Sequence, residues 1–336
     1  MNVVDQMWLR PDTKQMRTPP APSLECPRRI ELANTRHRWE ILLTTLLWVT
    51  LSGSMHAQMR MAPYFTAINY PLEKHSLMLM ILPDYQSARY GSNFFTGMFM
   101  AEYGITSRWT IGVMAEGQKI AGLPATYGGM RVNTYFHLFP DDRMLNLTLY
   151  GEYEGLNGAS LYKMEVAGFG PEDLTEPLEL ARLTRVRTFE QRLIVYQDWD
   201  LLNATFNFVR ETALQAPHGS DYGYALGLFL QPSWMGGPMA GMDEMPEPPF
   251  LSLRRLGFGV EIIGALGNDQ RFGFDWNAQQ EYVGVVLGYA GSYGLSVRVE
   301  PAFGLSKESD PFILRMGVAF TVAPSSAPQM EVPMGH

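Results

Sequence analysis

Between residues 74 and 322, side-chain polarity alternates residue by residue in runs of about ten, the length of a membrane-crossing strand. The clearest run is TYGGMRVNTYFHLF. Its even positions hold Met130, Val132, Thr134, Phe136 and Leu138, and its odd positions hold Arg131, Asn133, Tyr135 and His137. Successive side chains of a strand point to opposite faces, so these two sets face opposite ways. MLNLTLYGEYE likewise separates Leu145, Leu147 and Leu149 from Asn146, Thr148, Tyr150, Glu152 and Glu154. LLNATFNFV, SYGLSVRVE and PFILRMGVAF follow the same rule. About twelve such runs can be read; DYGYALGLFL is apolar at both parities and HSLMLMIL is ambiguous. No run in this span reaches the roughly 20 apolar residues of a membrane helix.

Alternation fits a soluble sheet as well as a barrel in lipid; only the sign of the faces differs. Four features favour lipid outside. The polar parity is dominated by Asn, Thr, Tyr and Gly with single charges, and charged residues make up only 18% of the chain. Aromatics fall near strand ends, at Trp109, Phe139, Trp199, Tyr289 and Phe320, where interfacial girdles belong. About twelve strands exceed the usual sandwich. In lipid a sheet must close on itself, because an open edge would leave backbone groups unpaired. The expected fold is therefore all-β, a closed antiparallel transmembrane barrel. The connections support it: Ile105 to Arg108, Pro140 to Arg143, Asp198 to Asp200 and Ala290 to Ser292 are short, and Gly155 to Arg185 is long. Gln231 to Leu253 is also long, yet with this strand count it falls on the short-turn side. Either a strand is miscounted or that side carries an insertion.

HRWEILLTTLLWVTLSGSMHAQ has a basic flank, an apolar run from Ile41 to Leu51 and a small-residue end, the pattern of a secretory signal peptide. Its n-region is unusually long. We expect a signal peptide over 1–57, a periplasmic segment over 58–73, the barrel over 74–322 and a disordered Pro/Ser-rich tail over 323–336. The single cysteine, Cys26, lies in the removed part. The net charge of -8 and the lack of a basic stripe argue against a nucleic-acid partner.

The signal pattern, the alternating strands, the turn YGITSRW and the last strand PFILRMGVAF resemble bacterial outer-membrane β-barrels. More narrowly they resemble the transporter family labelled for the meta pathway of phenol degradation. The Gln231–Leu253 stretch and the tail beyond Phe320 depart from that pattern. The resemblance implies a cell outer-membrane location in a Gram-negative envelope and porin-like transport of small solutes, hydrophobic ones among them. Its partners would be outer-membrane lipid and the barrel-assembly machinery. It transfers no catalytic residue.

If the polar parity faces a lumen, that lumen is lined by Glu102, Glu116, Arg131, His137, Glu152, Glu154, Glu190, Arg192, Glu261, Arg298, Glu300 and Arg315. These charges either fill a narrow barrel as cross-strand ion pairs or line a water-filled pore that selects solutes. MGGPMAGMDEM places Met235, Met239, Met242 and Met245 close together, and thioethers suit Cu(I). A copper-resistance protein is thus one alternative, although methionine is abundant throughout, with 21 in the chain. Without that site no cofactor is expected. A sealed structural barrel and a secreted soluble β-barrel are the others. Neither GxSxG nor HExxH occurs, and we expect no enzyme.

Overall fold

The structure, a computed structural model, describes residues 65, 72–89, 91–139, 146–164, 166–168, 177–199, 202–215, 219–230, 255–291 and 294–322. The expected signal peptide and tail lie outside these residues. Twelve strands are formed among them: β1 (Leu77–Ser87), β2 (Phe94–Thr106), β3 (Trp109–Ile120), β4 (Thr126–His137), β5 (Asn146–Asn157), β6 (Arg185–Trp199), β7 (Leu202–Ala213), β8 (Ser220–Leu230), β9 (Leu256–Asn268), β10 (Glu281–Ala290), β11 (Leu295–Gly304) and β12 (Phe312–Val322). Each pairs antiparallel with its sequence neighbours, and β1 pairs with β12. The sheet is a closed barrel, and closure leaves no edge strand. Two short helices, α1 (Gly158–Met164) and α2 (Leu178–Ala181), follow β5.

One rim carries the tight turns. There Ser107 and Arg108 alone join β2 to β3. Arg108 donates from Nε to the His137 carbonyl at 2.9 Å and from Nη2 to that of Leu138 at 2.5 Å, tying this turn to the end of β4. Its guanidinium also lies 5.2 Å from the Phe136 ring centroid. The YGITSRW motif is thus a rim clasp. With twelve strands, β8 ends and β9 begins at this same rim. The Gln231–Leu253 stretch therefore joins them on the short-turn side as an insertion; its residues lie outside those described. The opposite rim carries α1, α2 and the β9–β10 and β11–β12 loops.

The parity is that of a membrane barrel. Ile81, Phe99, Val113, Val132, Leu149, Phe206, Leu228 and Leu287 are exposed on the outer face. Glu102, Glu154, Glu190, Asn207, Glu261 and Glu300 are buried within. A soluble barrel would reverse this arrangement. Among the outward aromatics, Tyr103, Trp109, Phe136 and Trp199 lie toward the short-turn rim, and Phe95, Tyr127 and Phe303 toward the other.

The two ambiguous runs resolve once they are placed. β8 turns Leu226, Leu228 and Leu230 outward and Gly223, Ala225, Gly227 and Phe229 inward. Its lumen face is small and apolar because the Phe229 ring lies across Gly257 and Gly259 of β9, where a Cβ would collide with it. β1 turns Met80 inward, followed by Asp84 and Gln86.

Candidate functional site: the barrel lumen

The site is the inner wall. The ionisable residues expected on the polar parity face inward, and all but Glu102 and His137 fall into three groups. Arg131 of β4 is the centre of the first. Its guanidinium lies 3.6 Å from Glu116, 3.1 Å from Glu152 and 2.5 Å from Glu154. One cation thus answers three carboxylates. Tyr150 donates to Glu152 at 2.6 Å and Thr188 to Glu154 at 2.5 Å, and hydrogen bonds of this kind are what let a carboxylate stay buried. In the second group Arg192 grips Glu190 with two hydrogen bonds, at 2.5 and 2.9 Å, over the Tyr150 ring. The third combines Glu261, Arg298, Glu300, Arg315 and Asp84, in which Arg315 sits 3.4 Å from Asp84. Arg298 donates to the Met80 sulfur at 3.0 Å.

Glu102 lies within reach of the Arg298 charge. It accepts from the Tyr135 hydroxyl at 2.8 Å and from Asn133 Nδ2 at 3.4 Å. His137 is fully buried, 2.9 Å from the Thr148 hydroxyl and packed beside Tyr196, so it is woven into the wall near the short-turn rim.

Long charged side chains fit inside because glycines face them across the strand pairs. A Cβ on Gly112 would strike Glu102 and Asn133, one on Gly284 would strike Glu300, and one on Gly317 would strike Arg298. The abundance of glycine in the chain therefore provides room in the lumen as well as turns.

Sequence reading missed several members of the wall. Asp84 lies just beyond the ambiguous run HSLMLMIL. Glu211 lies just beyond LLNATFNFV, and Asp221 opens DYGYALGLFL, the run that is apolar at both parities. Their importance comes from pairing register, which no local pattern reveals.

Residues that precede β1 meet the inner wall at two levels. The Phe65 amide donates to Glu261 at 3.2 Å, and its ring lies 4.7 Å from the Arg298 guanidinium, a cation–π contact on the inner wall. Leu72 donates to the Thr110 hydroxyl at 2.9 Å, and the Leu72 and Glu73 carbonyls occupy the space beside Gly104. Residues of the 58–73 stretch thus contact the lumen wall. At the other mouth, Asn157 caps α1 by accepting from the Ser160 amide at 2.9 Å. Lys163 of α1 pairs with Asp310 across the mouth, and its carbonyl accepts from Gln86 at 2.7 Å. Val166 then packs on two apolar clusters of the far wall, one containing Ala225, Ile263 and Val286 and the other Tyr282, Ala302 and Ile313. The described residues 166–168 that follow α1 therefore lie against the far wall.

Outside the strands, Asp269 begins the β9–β10 loop. A hydrogen bond from the Tyr222 hydroxyl at 2.7 Å, joined by one from the Ser220 amide at 2.7 Å, holds its carboxyl below the usual carboxylate range. Among the described residues no group of three or more His, Cys, Asp or Glu is arranged to hold a metal. Met235, Met239, Met242 and Met245 lie outside the described residues.

No family model and no curated protein matches the chain. Solved structures do resemble it. An outer membrane channel from Pseudomonas putida F1 is 10% identical, with 77% of this chain and 100% of that chain covered and a TM-score of 0.49. The KdgM porin is 9% identical, with 73% and 99% covered and a TM-score of 0.45. The NanC porin is 11% identical, with 72% and 98% covered and a TM-score of 0.42. The likeness is one of barrel architecture.

Proposed function

We propose that the chain is an outer-membrane channel for small solutes, with the tight turns in the periplasm and the α1 loop outside the cell. The observation that carries this reading is unsatisfied polarity inside the wall. Gln118 is buried, and neither its Oε1 nor its Nε2 has a protein partner among the described residues. The same holds for Oδ1 of Asn146, Oδ1 of Asn133 and Oγ1 of Thr321. Gln118 lies toward the α1 rim, Asn146 and Thr321 toward the other, and Asn133 between them. Buried polar atoms without a protein partner bind water, because an unmade hydrogen bond costs about 1–3 kcal/mol. Water held at these positions would be spread from rim to rim, which supports a hydrated path. The apolar wall formed by Ala225, Phe229, Ile263 and Val286 gives this path one greasy side, which supports passage of solutes with an apolar part.

A sealed structural barrel is the competing reading, favoured by Phe65 on Arg298 and by Val166 against the far wall. Reconstitution separates the two. A channel gives unitary conductance in planar bilayers and solute-driven swelling of liposomes. A correctly folded barrel that gave neither would refute the channel.

A further inference from the structure

Pairing register arranges the lumen carboxylates in a way that their positions along each strand do not suggest. Following the partner residue from strand to strand, Glu102 of β2 faces Gly112 of β3, which faces Asn133 of β4, which faces Glu152 of β5. Glu152 then faces Glu190 of β6, Glu190 faces Glu211 of β7, and Glu211 faces Asp221 of β8. All are on the inward parity. Strands of a membrane barrel tilt by roughly 35–45°, so a line drawn along the pairing direction climbs the wall. Glu102 lies near the short-turn end of β2, and Asp221 lies at the α1 end of β8. The acidic line is therefore a ramp from one mouth to the other.

Such a line is unfavourable as mere filling. Like charges directly opposite each other on paired strands destabilise a sheet. The described arginines beside the line are fewer than its carboxylates: Arg131 meets Glu116, Glu152 and Glu154, Arg192 meets Glu190, and the Arg298 charge acts on Glu102. Among the buried side chains described, eleven are Asp or Glu against four Arg and one His. A second observation points to what the ramp receives. Asn133, between Glu102 and Glu152, spends its Nδ2 on Glu102, while its buried Oδ1 rests against Gly112 with no donor among the described residues. Carboxylate and amide oxygens converge at this level.

We propose that this carboxylate ramp makes the lumen selective for small monovalent cations, of the alkali-metal or ammonium type, over anions. Aligned carboxylates raise the local concentration of cations and exclude anions from a narrow polar passage. The proposal rests on the channel reading and deepens it.

The test is the reversal potential of the purified, reconstituted full chain under a tenfold KCl gradient. Ideal cation selectivity gives about 59 mV, one decade for a monovalent ion. The expected result has the cation-selective sign, with K⁺ favoured severalfold over Cl⁻. Glu102→Gln combined with Glu211→Gln should at least halve that preference, while Glu308→Gln in the outer β11–β12 loop should leave it unchanged. Heat-dependent gel mobility shows that each variant is folded, and the sign for the unaltered chain decides even if the double variant does not fold. Absence of conductance from a folded barrel overturns the channel reading and the ramp's role with it. Conductance that favours Cl⁻, or a K⁺ preference untouched by the double substitution, overturns the ramp alone.

Discussion

Replacing Val132 by Arg tests the inside-out assignment where lipid is thickest. Val132 is outward on β4 and 49% exposed in the isolated barrel. It lies between outward Tyr127 and outward Phe136 on the same strand. A strand rises about 3.4 Å per residue, and a tilt of about 40° converts that to roughly 2.6 Å of depth. Val132 is then about 13 Å from one aromatic level and about 10 Å from the other. These distances place it near the middle of an apolar band about 25 Å tall. Arginine at that depth should cost about 2–4 kcal/mol. Ile111, also outward, supplies the control. It is two residues from Trp109 at the turn, about 5 Å in depth, where arginine costs roughly 0–1 kcal/mol. The assay is guanidinium-driven unfolding from lipid vesicles, with the folded fraction read by gel mobility. The two variants should differ by at least about 1 kcal/mol, with Val132→Arg the weaker. Equal stabilities, or a larger loss for Ile111→Arg, would refute either the lipid-facing parity or the depth assigned to β4.

Further outcomes follow from the wall and the mouth. Arg131→Met leaves Glu116, Glu152 and Glu154 together without their shared cation, and should cost about 3–5 kcal/mol in the same unfolding assay. Gly284→Val places a branched side chain where the Glu300 carboxylate lies, and should reduce the yield of heat-modifiable barrel in the envelope far more than Val285→Ala on the outward face. Lys163→Ala removes the pairing with Asp310 and should speed proteolytic cleavage of the loop after α1 without moving the unfolding midpoint of the barrel. Because the Asp269 carboxyl is held below its ordinary range, the anchor of the β9–β10 loop is fully present above the usual carboxylate range and is lost only as pH falls through the lowered value. Amide protection at Ser220 should therefore persist into moderate acid in the wild type, and Asp269→Asn should remove that pH dependence.

How far such a lumen can be read in advance depends on which interactions encode it. The faces of β4, β5, β7 and β12 were legible because period-two alternation is local: Arg131 must point opposite Val132 whatever the rest of the chain does. The preference for lipid outside was legible too, since few charges occupy the outward positions. β8 was not, because its inner face is apolar; that face follows from Phe229 needing flat glycine surface on β9, a requirement that involves two strands. Phe65 was not legible either, as its amide meets Glu261 across 196 residues of sequence. The ramp is the sharpest case. Glu152, Glu190 and Glu211 each looked like isolated charges in separate runs, and they become neighbours only when the closed sheet sets which residue faces which. A one-residue slip in any of those pairs would turn one strand's carboxylate toward lipid, so register in this barrel is enforced by the same charges it aligns. The cost of placing those carboxylates outside is what holds them in line within.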